Sequence, residues 1–278
     1  MPTIPYRYAM IAQRDVSATL EVFVAAPCEI EMRIAVAQVP GILLRERLSV
    51  VVAGTPVMPE EIVDAVGTRI HRFWAGGGLV SIDYWAQITQ PAAPMPATAL
   101  DSSTYLRPSR YAESDTFYGF VSSRFDAERP RVELLDQVVS FVGTHTQYIP
   151  GTSDPIDSAA DTLMAGAGVC RDYAHLTVAL LRALNIPARA VAVYAPGCTP
   201  MDFHAVTEAI IDGEWVVVDA TGLAPRQAMV RIATGRDAAD IAFLENHGGS
   251  ITLNSYWVTA SSPDPLPCDD GRVRVSIA

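Results

Sequence analysis

Residues 166–191 read GAGVCRDYAHLTVALLRALNIPARAV. A loop spaced by Gly166 and Gly168 hands over to a segment in which Tyr173, Leu176, Thr177, Leu180, Leu181 and Leu184 recur at three- and four-residue intervals, the mark of an apolar helical face. The spacing predicts a helix that begins near Cys170 and ends at Asn185, a residue tolerant of left-handed geometry, with Pro187 just beyond. Cys170 therefore falls at a helix N-terminus. There the unpaired backbone N–H groups and the aligned peptide dipoles favour a thiolate over a thiol and can also receive an oxyanion. A lone cysteine is more often a small buried hydrophobe, so its partners decide the matter.

Residues 204–221, HAVTEAIIDGEWVVVDAT, supply those partners. Asp212-Gly213 between two β-branched runs predicts a two-residue hairpin of type I′. That turn sets Ile211 opposite Glu214 and, continued along both strands, Val206 opposite Asp219. His204 shares a face with Val206, which makes it the diagonal neighbour of Asp219 at about 7–8 Å between backbones, a gap that an imidazole and a carboxylate can close. The carboxylate would orient the ring, leaving its other nitrogen free to take a proton from a thiol. A three-residue loop would instead turn Asp219 to the opposite face. A helix-start Cys followed in order by a strand His and a strand Asp points to nucleophilic catalysis.

Outward from this core, residues 1–89 show strand-like runs such as SATLEVFVAA, EIEMRIAVAQVPG and LVSIDYWAQIT. Gly76-Gly77-Gly78, between RIHRFWA and LVSIDYWAQIT, reads as a hairpin turn rather than a phosphate loop, since no helix start and no Lys-Ser/Thr follows. Residues 90–103, QPAAPMPATALDSS, read as a proline-rich linker. Residues 104–278 open with a helical segment, 131–149, with Val132, Leu135, Val138, Val139 and Val142 on one face, and continue through the cysteine helix to strands at 188–195, 204–211 and 214–221. Helices first and strands after make an α+β order. The expected fold is a β-sandwich-like N-terminal domain followed by a catalytic core of helices and antiparallel sheet.

The segments GAGVCRDYAHLTVALLRALNIPARAV, FHAVTEAIIDGEWVVVDATG and RIATGRDAADIAF resemble the core of the bacterial transglutaminase-like superfamily, whose fold is a circularly rearranged relative of papain. The resemblance runs from about Tyr105 to the C-terminus, and the β-rich first part is similar to a domain that often precedes this core. It implies a Cys-His-Asp triad on Cys170, His204 and Asp219. The sequence departs from the family's pattern at Val206, where tryptophan is common, at Ala220, where proline is, and near Ala238, where an aromatic is, which leaves the pocket's shape open. The activity implied is acyl transfer from an amide or peptide bond through an acyl-thioester: a cysteine peptidase or amidase, a transglutaminase if an amine replaces water, or a non-catalytic binding module that kept the fold. Gln147 and Tyr148 are candidates for a second oxyanion donor. Arg171 and Asp172 are expected to hold the loop, and His175, off the nucleophile's direction on the helix, to serve the core.

Composition narrows the partners. A formal net charge of −11, from 31 acidic and 20 basic residues, repels phosphate backbones and anionic membrane surfaces, so no nucleic-acid or membrane partner is expected. Cys28, Cys170, Cys198 and Cys268 are scattered and form no CxxC, and His71, His145 and His247 lack clustered ligands, so no metal and no cofactor is expected. The N-terminal MPTIPYRYAMIAQRD lacks the basic and apolar regions of a targeting segment, and no apolar run spans a bilayer; a reduced, cytoplasmic location is expected. The oligomeric state and the substrate beyond a peptide or protein amide are left open.

Overall fold

The computed structural model describes residues 13–277; the reading of the N-terminal segment and of the β-rich region before Gln13 lies outside the described residues. The chain runs β1 (Arg14–Ala26), β2 (Cys28–Met32), β3 (Leu43–Val52), β4 (Thr55–Val57), β5 (Glu60–Val63), β6 (Arg69–Ala75) and β7 (Gly78–Gln90) before its first helix. Then follow α1 (Ala99–Tyr105), α2 (Tyr118–Arg124), α3 (Arg131–His145), β8 (Gln147–Tyr148), α4 (Ala159–Ala165), β9 (Ala167–Gly168) and α5 (Cys170–Ala183). The rest comprises β10 (Ala188–Tyr194), β11 (Phe203–Ile211), β12 (Glu214–Val218), β13 (Val230–Gly235), α6 (Ala238–Ile241), β14 (Leu244–His247) and β15 (Ser250–Ser261). The fold is mixed α/β with more strand than helix, and none of the described helices is long and apolar enough to cross a membrane.

Three sheets carry the structure, in the strand orders β15-β1-β7-β3-β4, β14-β2-β6-β5 and β12-β11-β10-β13. Along β1 the inward set Val16, Ala18, Leu20, Val22 and Val24 alternates with exposed or half-buried residues, the period that a sheet with one buried face requires. These side chains join Ile30 and Met32 of β2, Phe73 of β6 and Ile82 of β7 in one apolar cluster. The same cluster takes in Ala190, Ala192 and Tyr194 of β10 and Val230 and Ile232 of β13. A second cluster lies under α5, where Leu176, Leu180 and Leu181 meet Val138 and Val142 of α3 and Ala209, Ile211, Val216 and Val218 of the hairpin. Helix α5 is buried nearly all round from Asp172 onward, which is why its sequence is apolar on more than one face.

Four sequence expectations are corrected. Gly76–Gly78 do not close a hairpin: β6 pairs with β2 and β5, and β7 with β1 and β3, so the glycines carry the chain from one sheet to another, with Gly77 and Gly78 at positive φ. The C-terminal region does not stay with the cysteine helix as a 104–278 unit, because β14 returns to β2 and β15 pairs along almost the whole of β1. Residues 90–103 are not a free spacer. Thr98 and Asp101 form a reciprocal cap on α1, and Tyr105 meets Trp215 edge-on at 5.5 Å. Finally, the helix begun at Arg131 stops at His145 rather than 149, because the backbone turns extended at Thr146 to pair with the loop before Cys170.

Candidate active site

The loop that presents Cys170 is held by its neighbours' backbones. Gln147 N–H donates to Gly166 O at 2.9 Å and Ile149 N–H to Gly168 O at 3.0 Å, so β8 lies alongside β9. Gly166 adopts φ +62 to end α4, and a Cβ on Gly168 would come within 2.6 Å of the Asp172 Cβ. Both glycines of the opening motif are thus required by geometry. Asp172 Oδ2 accepts from Val169 N–H at 2.7 Å, capping the first turn of α5. Arg171 Nη2 reaches back to Ser153 Oγ at 2.5 Å and to Asp154 O at 2.7 Å. Arg171 and Asp172 thus bind the loop to its surroundings.

The hairpin has the register read from the sequence. Ile211 faces Glu214 and Thr207 faces Val218, with Asp212 and Gly213 both at positive φ in the turn. Asp219 follows directly after β12, and His204 Nε2 lies 2.8 Å from Asp219 Oδ2. The other oxygen of Asp219 accepts from Thr221 N–H at 2.9 Å and from Thr221 Oγ1 at 2.7 Å, which fixes the carboxylate's orientation. Helix α5 packs on β11, with Thr207 Oγ1 donating to Ala174 O, and this contact brings Cys170 Sγ to 3.9 Å from the carbonyl of Phe203, the residue before His204. His204 is 2% exposed. Burial alone would push its imidazole down, but Asp219 and the Cys170 side chain outweigh it and hold the ring well above the ordinary histidine value.

The remaining candidates separate. Tyr148 faces the site: it packs against Tyr173 at 6.1 Å, and its hydroxyl is pushed up by burial and by the negative potential of Cys170, with Cys170 N–H acting in the other direction. Gln147, its strand neighbour, is exposed, as alternation along β8 dictates. His175 stacks on Tyr111 at 5.3 Å and accepts from Ala238 N–H at 3.1 Å, and burial lowers it to about 3, so it is a neutral core group. The Gly235-Arg236-Asp237 segment supports α5 from behind, since Arg182 of α5 donates to Arg236 O at 2.7 Å, and Asp237 caps α6 and accepts from Tyr111 N–H. Cys198 is buried with its thiol pushed up by that burial, and among the described residues no group of His, Cys, Asp and Glu is arranged to hold a metal ion.

Sequence reading missed Thr221, for which the Asp-x-Thr turn was the available signal, and Gly143. A Cβ on Gly143, in the last turn of α3, would lie 2.9 Å from Ala220 O, beside Asp219. Helix propensity alone expects Gly143→Ala to stabilise by about 1 kcal/mol. The contact reverses the sign: we expect a loss of about 1–3 kcal/mol in urea unfolding, because the helix or the Asp219 loop must shift. An unchanged or higher midpoint would show that α3 does not press on that loop.

The family model of the transglutaminase-like superfamily matches residues 121–220, a span that contains Cys170, His204 and Asp219. A solved structure from Cytophaga hutchinsonii, described as a candidate cysteine protease, superimposes with a TM-score of 0.84 at 30% identity over 92% of each chain. Uncharacterized proteins of Mycobacterium leprae and Mycobacterium tuberculosis are 28% identical over 148 residues and 29% over 157 residues. The chain spans about half the length of these curated relatives, 53% and 49%. The chain belongs to the transglutaminase-like superfamily.

Proposed function

We propose that the protein is a cysteine hydrolase of peptide or other amide bonds, working through Cys170, His204 and Asp219. The observation that carries the reading is the 2.8 Å contact of His204 Nε2 with Asp219, on a strand whose preceding carbonyl touches the thiol at the start of α5. Likeness along 92% of a candidate cysteine protease supports the hydrolytic sense. In this mechanism the Cys170 thiolate attacks the amide carbonyl, and the oxyanion is received at the N-terminus of α5. The C–N bond breaks as the His204 imidazolium gives its proton to the leaving amine. Water, deprotonated by His204, then opens the acyl-thioester and releases the acid and the thiolate. Asp219, itself held by Thr221, keeps the imidazole oriented in both steps. Included with it are a sandwich-like β unit, built by the first seven strands together with β14 and β15, a papain-like core, and a reducing compartment in which the free thiol persists.

The test is alkylation by iodoacetamide at pH 6 with the modified peptide mapped by mass spectrometry. Cys170 is expected to react at least tenfold faster than a free cysteine peptide, and equal rates would overturn the activated-nucleophile reading. Incubation with a peptide library and a tagged amine separates hydrolysis from transfer. Cleavage that disappears in Cys170→Ala, without amine incorporation, is the expected result; Cys170-dependent incorporation would favour a transferase. The 278 residues contain no lysine, so the protein offers no side-chain amine to compete with the tag.

A further inference from the structure

One carboxylate beside the site has no part in the chemistry above. Asp202 immediately precedes β11, two residues before His204 and next to Phe203, whose carbonyl touches Cys170 Sγ. Its Oδ1 accepts from Phe203 N–H at 2.7 Å, and its Oδ2 accepts from the Tyr256 hydroxyl at 2.9 Å. Tyr256 comes from β15, so two distant parts of the chain meet here. A carboxylate offers about four lone-pair directions, and these contacts use two. It forms no ion pair among the described residues, and the positive charge that acts on it is the His204 ring, which is already paired with Asp219. By contrast, Glu208 and Asp269 each receive arginines and are held down by them. Asp202 is pushed up by its burial.

The surroundings suit a cation. Phe203, Phe243 and Tyr256 form a cluster of rings with centroids 4.9, 5.8 and 6.4 Å apart, Phe203 and Tyr256 lying nearly parallel. Tyr256 is 41% exposed, so the cluster opens to solvent. Aromatic faces attract ammonium and guanidinium groups, and a carboxylate without a directly bonded cation completes the attraction. Nor is Asp202 needed to charge the histidine, whose raised state follows from Asp219 and Cys170. A hydrogen-bonded tether between β11 and β15 alone would need no charge, and the single His204 imidazolium already faces Asp219 and Cys170, so a further negative charge at Asp202 is unfavourable unless something positive arrives.

We propose that Asp202, with the rings of Phe203, Phe243 and Tyr256, forms a subsite that receives a cationic group of the substrate, an ammonium or guanidinium adjoining the bond that Cys170 attacks. This rests on the reading of Cys170 as the nucleophile. It makes peptides with a basic residue or free amino terminus near the scissile amide the preferred class.

The probes are three methanethiosulfonates of similar size, bearing 2-aminoethyl, 2-hydroxyethyl and 2-sulfonatoethyl groups, with modification of Cys170 followed by mass spectrometry and referred to a free cysteine peptide. Relative to that peptide, Cys170 is expected to prefer the cationic over the neutral reagent by about tenfold and to disfavour the anionic one. The preference should fall several-fold in Asp202→Asn, fall less in Tyr256→Phe, and persist in Asp126→Asn, which removes an exposed charge elsewhere. Raising the ionic strength of the unaltered protein should weaken the preference, a measurement that needs no variant. A preference equal to that of the free peptide, or one undiminished by Asp202→Asn, overturns the subsite while leaving the nucleophile reading intact. If Cys170 reacts with the neutral reagent no faster than the peptide does, the nucleophile reading fails and the subsite with it.

Discussion

Replacing Glu208 by Gln is expected to lower the unfolding free energy by about 3–5 kcal/mol, the usual effect of removing one partner from a buried ion pair. Glu208 is fully buried on β11 between Arg231, whose Nη2 lies 2.5 Å from Oε1, and Arg189, whose Nε donates to Oε2 at 2.8 Å. Arg189 also lies over the Trp215 ring at 3.6 Å, and Arg231 donates to Ile277 O. One carboxylate thus organises β10, β11, β13 and the C-terminal tail, and its loss strands two guanidinium groups in the core. Burial alone would push this carboxyl up, but the two arginines outweigh it and hold it at about 2. A depressed carboxyl stabilises above its unfolded range, about 4.3. That stability is lost as the pH falls from there towards 2. Urea unfolding at neutral pH should therefore show the large loss, and the acid dependence between about pH 4 and pH 2 should flatten in the variant. A loss below about 1 kcal/mol would contradict the assignment.

Asp219→Asn is expected to lower kcat/KM for peptide cleavage by about 10²–10⁴-fold, the range of general acid–base contributions, while Cys170→Ala removes it altogether. The pH dependence carries more information than the magnitude. His204 is raised because Asp219 and Cys170 favour the imidazolium against the penalty of burial. In the proposed mechanism the acid that protonates the leaving amine therefore persists above the ordinary histidine range and is lost as pH rises through the raised value. Removing the Asp219 charge leaves burial less opposed, so the alkaline limb of kcat/KM moves to lower pH. The same sign holds for stability: a raised histidine stabilises fully below its unfolded value, about 6.5, and the contribution disappears as pH climbs through the folded one. An alkaline limb that does not move in Asp219→Asn would detach Asp219 from the histidine's protonation.

Much of this arrangement was legible because it is local. The Asp212-Gly213 turn sets the register of β11 and β12, and register sets side-chain parity, so the meeting of His204 with Asp219 follows from a count along two strands. The bounds of α5 follow in the same way from apolar spacing, the glycines before it and Asn185 after it. Tyr148 and Gln147 could not be separated in the sequence, because which of two adjacent residues faces the nucleophile depends on a two-residue parallel pairing with no motif of its own.

Apart from the local Thr98–Asp101 cap within 90–103, the errors share one physical cause, pairing between segments separated in the chain. Strand periodicity shows that a segment has one buried face, but it carries no information about which strand lies beside it. Gly76–Gly78 therefore looked like a hairpin and proved to be a crossing between sheets, and β15 could not be seen to pair with β1 from the far end of the sequence. By itself the sequence determined the cysteine helix, the histidine hairpin and the parity that sets His204 and Asp219 on one face, all properties of periodicities and turns within about twenty residues. Only the tertiary structure decided how the C-terminal strands close the N-terminal sheets and, in doing so, carry Tyr256 to Asp202 beside Cys170. Such a contact depends on burying apolar faces far apart in the chain, which no local pattern specifies.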